Sequence, residues 1–467
     1  MTSISGLVVF TLFFVVTARM LARRDGVFCA FYIVLFVYTF FTQVAWIFYP
    51  DGFPTLVPGG VPITDGTTRA YQAFVTASFV GLFFVLWRGI RGPATLRTYQ
   101  APNAGGHFAA FIVLVLLYDA VLLWILVYNY GTLSYETPDA LKSQTLFARP
   151  YVFFGVVFLA LYATAARFKE QNNRRRVCQS LMVLSGALIL VIAVRAGTRT
   201  VLATTTIGVV SFEALWAGNA RRLLRPRVLI GAISVFIVLT AIATFRVEGP
   251  TNPVNLYTRV STDVDGFVST RLSLQAIIYG DYTGPSALLL TSIADGTVIP
   301  ETALPAVLYG CLPFGGFSGY RSVGYIVARI ADPSLENLPW KGFGYYVLTE
   351  GYNVAGWFGI FYNAIVIGFA LLASRRFWNT PDRFYRAFVG ALFATQAIPI
   401  VRGQSSEIIR AWYLVMLPGL VFLWLGCGLR VDWSRRSRRS GATSQSQVRR
   451  SRLSAAAGAH RLLTTRR

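Results

Sequence analysis

The chain has 467 residues, 55% of them apolar and only 13% charged, and its mean hydropathy of +0.54 argues against a soluble globular protein. Its 43 Lys and Arg against 20 Asp and Glu give a formal net charge of +23. In a soluble chain that charge would point to nucleic acid, so the apolar runs have to be placed before it is interpreted. The two histidines and the four scattered cysteines, Cys29, Cys178, Cys311 and Cys427, form no CxxC pair and no His/Cys cluster, which argues against a zinc site and a disulfide framework.

Crossing about 30 Å of hydrocarbon takes roughly 20 mostly apolar residues. Eleven runs approach that length, near residues 4–18, 26–49, 70–87, 108–128, 150–166, 177–194, 200–217, 228–245, 354–373, 387–401 and 411–429. The first and tenth are short and rely on Arg19 and Arg386 extending their charged heads to the interface. The first run has no basic residue before it, so it reads as a retained span and not as a cleaved signal.

Six breaks, at 19–25, 88–97, 167–176, 219–227, 374–386 and from Arg430 onward, hold 30 of the basic residues, and they alternate with breaks that share the other 13. The positive-inside rule makes the first set cytoplasmic, which places the N-terminus outside and the C-terminus in the cytoplasm. The expected fold is an all-α polytopic membrane protein with about 11 transmembrane helices. Its regions are an eight-helix membrane part (1–245), one large outer, periplasmic loop (246–346), three last spans (347–429) and a basic, disordered tail (430–467). The positive charge then reports topology and attraction to anionic membrane lipids, and nucleic acid is not expected as a partner.

The loop from Arg246 to Tyr346 is too long for a plain connector. Within it, 286–294 and 303–310 are too short to span and suit interfacial or re-entrant helices. Asp263 and Asp265 form a DxD, a pattern that can hold a metal-bound nucleotide sugar. On an outer face, where nucleotide sugars are normally absent, a turn or cap is the better reading and no metal site is expected. Arginines concentrate at the outer ends of spans: Arg195 and Arg199 in one break, Arg402 and Arg410 in another, and Arg246, Arg259, Arg271 and Arg321 in the large loop. One arginine alone reads as an ion pair or headgroup contact. Together, with helix ends near Gly197 and Gly403, they suit the oxygens of a lipid-linked pyrophosphate. The stretch 342–359 places Glu350 and Asn353 at i and i+3 beside aromatics such as Tyr352, which fit an interfacial belt or sugar stacking. A carboxylate there is a functional candidate, with a helix cap or an Arg partner as the plain alternative.

VRAGTRTVLATTTIGVV (194–210), FGYYVLTEGYNVAGWFGIFYNAIVIGF (343–369) and VRGQSSEIIRAWYLVMLPGL (401–420), in this order around the long loop, resemble the Wzy-type bacterial O-antigen polymerases over roughly residues 180–425. The resemblance implies a type C glycosyltransferase fold in the bacterial inner (plasma) membrane. It implies an activity that joins undecaprenyl-diphosphate-linked oligosaccharide repeat units on the outer face into O-antigen or a related polysaccharide, without metal, nucleotide sugar or other cofactor. Donor and acceptor glycan lipids are the implied ligands, and a flippase and a chain-length regulator the implied partners.

That chemistry assigns Arg195, Arg199, Arg402 and Arg410 to the pyrophosphate. Glu350 is assigned to orient or deprotonate the acceptor hydroxyl, with Glu407 and Asp281 as weaker candidates. Arg246, Arg259, Arg271, Arg321, Asn353 and Tyr352 are assigned to substrate binding. An O-antigen ligase would place a histidine in the large loop, and none lies between Arg246 and Tyr346. The WxxxD of peptidoglycan glycosyltransferases of the shape, elongation and division type is not found in an outer loop. A transporter or flippase of lipid-linked glycan would show repeated halves and charges at mid-membrane; Asp119 is the one clear carboxylate well inside a span.

Overall fold

The computed structural model describes residues 2–22, 31–32, 34–40, 64–89, 97–100, 104–128, 150–168, 170–195, 200–217, 283–312, 322–331, 345–378 and 382–432. Nearly all of them are helical. In chain order the helices are α1 (Thr2–Ala22), α2 (Asp65–Gly89), α3 (Ala104–Tyr128), α4 (Pro150–Arg167), α5 (Asn172–Arg195), α6 (Thr200–Ala217), α7 (Thr283–Asp295), α8 (Pro300–Cys311), α9 (Val323–Ala331) and α10 (Val347–Ala355). Next, α11 runs through Gly359–Tyr362, a π-helical turn at Asn363–Ile367 and Gly368–Trp378. After α12 (Arg383–Val401), α13 runs through Ser406–Ala411, a second π turn at Trp412–Met416 and Leu417–Cys427.

Among the described residues six stretches are long and apolar enough to cross a membrane: Asp65–Arg88, His107–Tyr128, Asn172–Ala193, Val347–Arg375, Arg383–Val401 and Ser406–Cys427. Shorter apolar helices occupy Gly6–Ala18, Phe153–Arg167 and Val201–Trp216. Helical residues 31–32 and 34–40 fall within the expected run at 26–49. The expected run at 228–245, most of the expected loop and the tail beyond 432 lie outside the described residues. The small addition to an all-helical fold is a two-stranded antiparallel ribbon, β1 (Arg97–Gln100) with β2 (Leu429–Asp432), with Arg97 opposite Asp432.

The apolar surface is arranged for lipid. Val8, Leu12 and Val15 on α1, Leu117 and Val127 on α3, and Val183 on α5 are all exposed, more apolar exterior than a water-facing surface usually carries. Polar side chains turn inward instead: Asp119 on α3 accepts a 2.6 Å hydrogen bond from Ser185 on α5, and both are buried. Trp412 Nε1 donates to Ser374 Oγ at 2.7 Å, tying α13 to α11. Such bonds between helices take the place of the hydrophobic drive that lipid removes.

The described parts of four basic breaks, at 88–97, 167–176, 374–386 and 430–432, lie at one end. The ribbon joins the break after α2 to the end of α13. Nearby, the Arg167 guanidinium lies 5.1 Å from the centre of the Phe384 ring, and Arg174 lies 5.1 Å from both Phe108 and Phe168. α6 and α12 run antiparallel from there: Phe384 packs edge-on to Phe212 and Trp216, while a Cβ at Gly208 would meet Thr395. The start of α6 therefore reaches the level of the end of α12, at the opposite end of the bundle.

Candidate functional site

At that opposite end the chain makes a feature the apolar pattern conceals. The run expected at 354–373 begins with a reversal, not with a straight helix. α10 is buried from Val347 to Val354 and stops at Gly356, whose φ of 57° and ψ of −130° suit glycine and few other residues. A 3₁₀ turn at Gly356–Phe358 follows, and α11 returns alongside α10. Asn363 Nδ2 donates to the Leu348 carbonyl at 3.1 Å. A Cβ at Gly359 would collide with the Gly351 carbonyl, so the two backbones touch with no side chain between them. Nine helical residues rise only about 13 Å, and α11 turns back beside them, so Val347–Arg375 is a hairpin and not one straight span.

The reversal carries Glu350 into the bundle. Its Oε1 accepts from the Tyr362 hydroxyl at 2.7 Å and from the Ser405 hydroxyl; its Oε2 accepts the Ser405 backbone N–H at 2.7 Å. Glu350 is fully buried. Ser405 is the N-cap residue of α13, so the carboxylate sits where the free N–H groups and dipole of a helix favour an anion. Glu350 is thus a cap supplied from another helix.

The turn between α12 and α13 is knitted to its surroundings by further buried bonds. Gln404 Oε1 accepts the Val323 N–H at the start of α9 (3.1 Å), while its Nε2 donates to Ser406 Oγ (2.7 Å). The Tyr345 N–H donates to the Arg402 carbonyl at 3.1 Å, and the Tyr346 hydroxyl bonds Thr39. α8 packs on the first turns of α13, where the Tyr413 hydroxyl donates to the Leu312 carbonyl at 3.0 Å. Burial pushes the Cys311 thiol up; the Glu350 charge adds to this and Arg410 opposes it.

The expected site residues divide accordingly. Glu350 is bonded to Ser405, in the turn that Arg402 precedes and Arg410 follows in sequence. Arg402 ends α12, and Arg410 is bound to Glu407 through a 2.6 Å ion pair, so its charge is already shared. Arg195 is the last residue of α5, with its side chain outside the described residues; Arg199, Arg246, Arg259, Arg271, Arg321, Asp263, Asp265 and Asp281 lie outside them altogether. The expected pocket of four span-end arginines thus includes two whose side chains lie outside the described residues.

Asn353 lies on α10 with Glu350 but serves a different contact. Its amide donates to Ser292 Oγ (3.1 Å) and the Thr297 carbonyl (3.0 Å), and its Oδ1 accepts from the Tyr345 hydroxyl (3.0 Å). Tyr352 is buried edge-on against Phe74. Both are buried in contacts that hold α10 in place. Ser405, Gln404 and Tyr362 were not singled out by the sequence, although the QSSE string after Gly403 already carries the composition of a helix start.

Compared with protein-family models, with curated proteins and with solved structures, the chain matches none.

Proposed function

We propose that the chain is a membrane glycosyltransferase that polymerises undecaprenyl-diphosphate-linked oligosaccharide repeat units into O-antigen or a related surface polysaccharide. One observation carries the reading: Glu350 of the 343–369 stretch is bonded to Ser405 of the 401–420 stretch, with Arg402 and Arg410 flanking the same turn. Two segments that bear the resemblance, about 50 residues apart, thus build one polar cluster at the end of the bundle away from the basic breaks. Charge separation of this kind suits chemistry at one membrane face better than passage through the membrane.

In the proposed reaction an acceptor hydroxyl attacks the anomeric carbon of the donor sugar. The bond from that carbon to the diphosphate oxygen breaks, the lipid diphosphate leaves with the electron pair, and the hydroxyl proton passes to a base or to solvent. Arg402 and Arg410 are suited to the leaving diphosphate, Arg410 by exchanging Glu407 for phosphate oxygens. Glu350, with three donors around it, is suited to fix the turn that carries these arginines. Direct proton abstraction requires the carboxylate to be uncovered first.

The test is reconstitution. Full-length protein given a lipid-diphosphate repeat unit should build a ladder of longer glycans, in chelator and without nucleotide sugar. Movement of the lipid across the bilayer without a ladder selects the transporter reading, and transfer of a single finished chain to a lipid A core selects a ligase.

A further inference from the structure

Helix α8 is apolar on two faces, and among the described residues one of them is buried and the other exposed. Ala303, Ala306, Val307 and Gly310 are buried where α8 packs on α10 and α13. On the reverse face Leu304, Leu308 and Leu312 are 42%, 68% and 51% exposed, spaced four residues apart along one stripe. The helix carries no basic residue in its last turn, and its one acid, Glu301, sits in the first turn, where the dipole favours it. A helix that is apolar all round belongs in a core or in lipid, yet twelve residues rise about 18 Å, well short of the roughly 30 Å of hydrocarbon.

The stripe does not stand alone. Val298, just before α8, lies against Gly356 at the tip of the α10–α11 reversal. Phe358 in the 3₁₀ turn at that tip, then Phe361 and Ile365 on α11, are exposed in the same way, and α11 is long and apolar enough to cross a membrane. The exposed face of α8 thus neighbours an apolar surface suited to lipid. We propose that α8 is embedded in the membrane, with its Ala/Val/Gly face on the bundle and Leu304, Leu308 and Leu312 in contact with lipid acyl chains. α8 then stands between the lipid and the helices α10 and α13 that carry Glu350 and Arg410. The embedding itself is independent of the glycosyltransferase reading.

The test uses the full chain with an encoded environment-sensitive fluorescent residue replacing Leu308 or, separately, Leu304. Each is reconstituted into phosphatidylethanolamine/phosphatidylglycerol vesicles, with and without brominated acyl chains. Embedding requires loss of fluorescence in the brominated vesicles and none on adding iodide to the water. Quenching by iodide at either position places α8 in water. Quenching by neither agent means that protein covers the stripe, and either result overturns the proposal. Two separate positions guard against one substitution that disturbs the fold.

Discussion

At one end of the bundle Arg167 and Arg174 rest on the faces of Phe384, Phe108 and Phe168, while at the other the carboxylate of Glu350 is enclosed by three hydrogen-bond donors. A guanidinium on a ring face is held by a broad, forgiving attraction and keeps contact with water. A buried carboxylate with directed donors is held all or none, because losing it strands every partner in a medium that cannot replace it. The first arrangement suits anchoring at an interface. The second suits a site whose geometry must not drift, and substitutions should therefore act very differently at the two ends.

The largest effect is expected where the two backbones touch. Gly359→Val places two methyl groups against the Gly351 carbonyl, which is main chain and has little room to yield. Overpacking typically costs about 1 to 3 kcal/mol and occasionally more, and here the reversal itself must open. The expected outcome is collapse of folded yield in detergent together with loss of ladder formation. A Gly359→Val variant that melts with wild type would mean that α10 and α11 do not pack as described.

Next comes Glu350→Ala, which leaves the Tyr362 hydroxyl and the hydroxyl and N–H of Ser405 without their acceptor. At about 1 to 3 kcal/mol for each stranded buried group, partly relieved by relaxation, a loss of about 2 to 5 kcal/mol is expected in thermal unfolding. Glu350→Gln keeps one acceptor oxygen and should lose about half as much. The pair of variants separates cap from base. Activity that falls in step with stability marks a cap, whereas a stable but inactive Glu350→Gln marks a group needed in its ionised form.

The contrast also explains what the sequence discloses and what it hides. Spans are legible because hydrocarbon thickness sets their length, and α3 and α12 both sit where the apolar runs place them. Which helix lies inside is not legible in the same way. α3 is the more apolar of the two, yet its span is 28% buried against 78% for α12, because lipid draws the most apolar helix outward. The reversal at Gly356 is hidden inside an apolar stretch that reads as one long span, although glycines at 351, 356 and 359 mark both the break and the contact. Glu350 is legible as a carboxylate out of place. Its partner Ser405 is not, since a cap donated between helices is a tertiary fact with no sequence spacing. The β1–β2 ribbon, four residues a side, is too short for alternation to announce it.

Arg410 tests whether the polar end does chemistry or only holds its shape. Its pair with Glu407 is partly exposed, a kind of pair that contributes about 0 to 1 kcal/mol to stability, so Arg410→Ala should melt close to wild type. A charge-assisted bond to phosphate is stronger, about 1.5 to 3 kcal/mol. Where that bond strengthens in the transition state, turnover should fall roughly ten- to a hundred-fold. Arg410→Lys should restore only part of it, because the planar fork is lost. Normal ladder formation by Arg410→Ala would move the diphosphate elsewhere, with Arg402 the next to examine.

The smallest effect is expected from Arg167→Ala at the basic end. Its attraction to the Phe384 ring, at 5.1 Å, is worth about 0.5 to 1 kcal/mol at a partly exposed position. Phe384 stays fixed without it, since Phe212 and Trp216 meet the same ring at 5.7 and 5.0 Å. A melting temperature within a few degrees of wild type and an unchanged glycan ladder are therefore expected. Because the break at 167–176 holds further basic residues, orientation should also survive, as read by labelling from either side of the vesicle. A large loss of activity from Arg167→Ala with the fold intact would break the contrast between the two ends, because it would place a catalytic requirement where the contacts are of the forgiving kind.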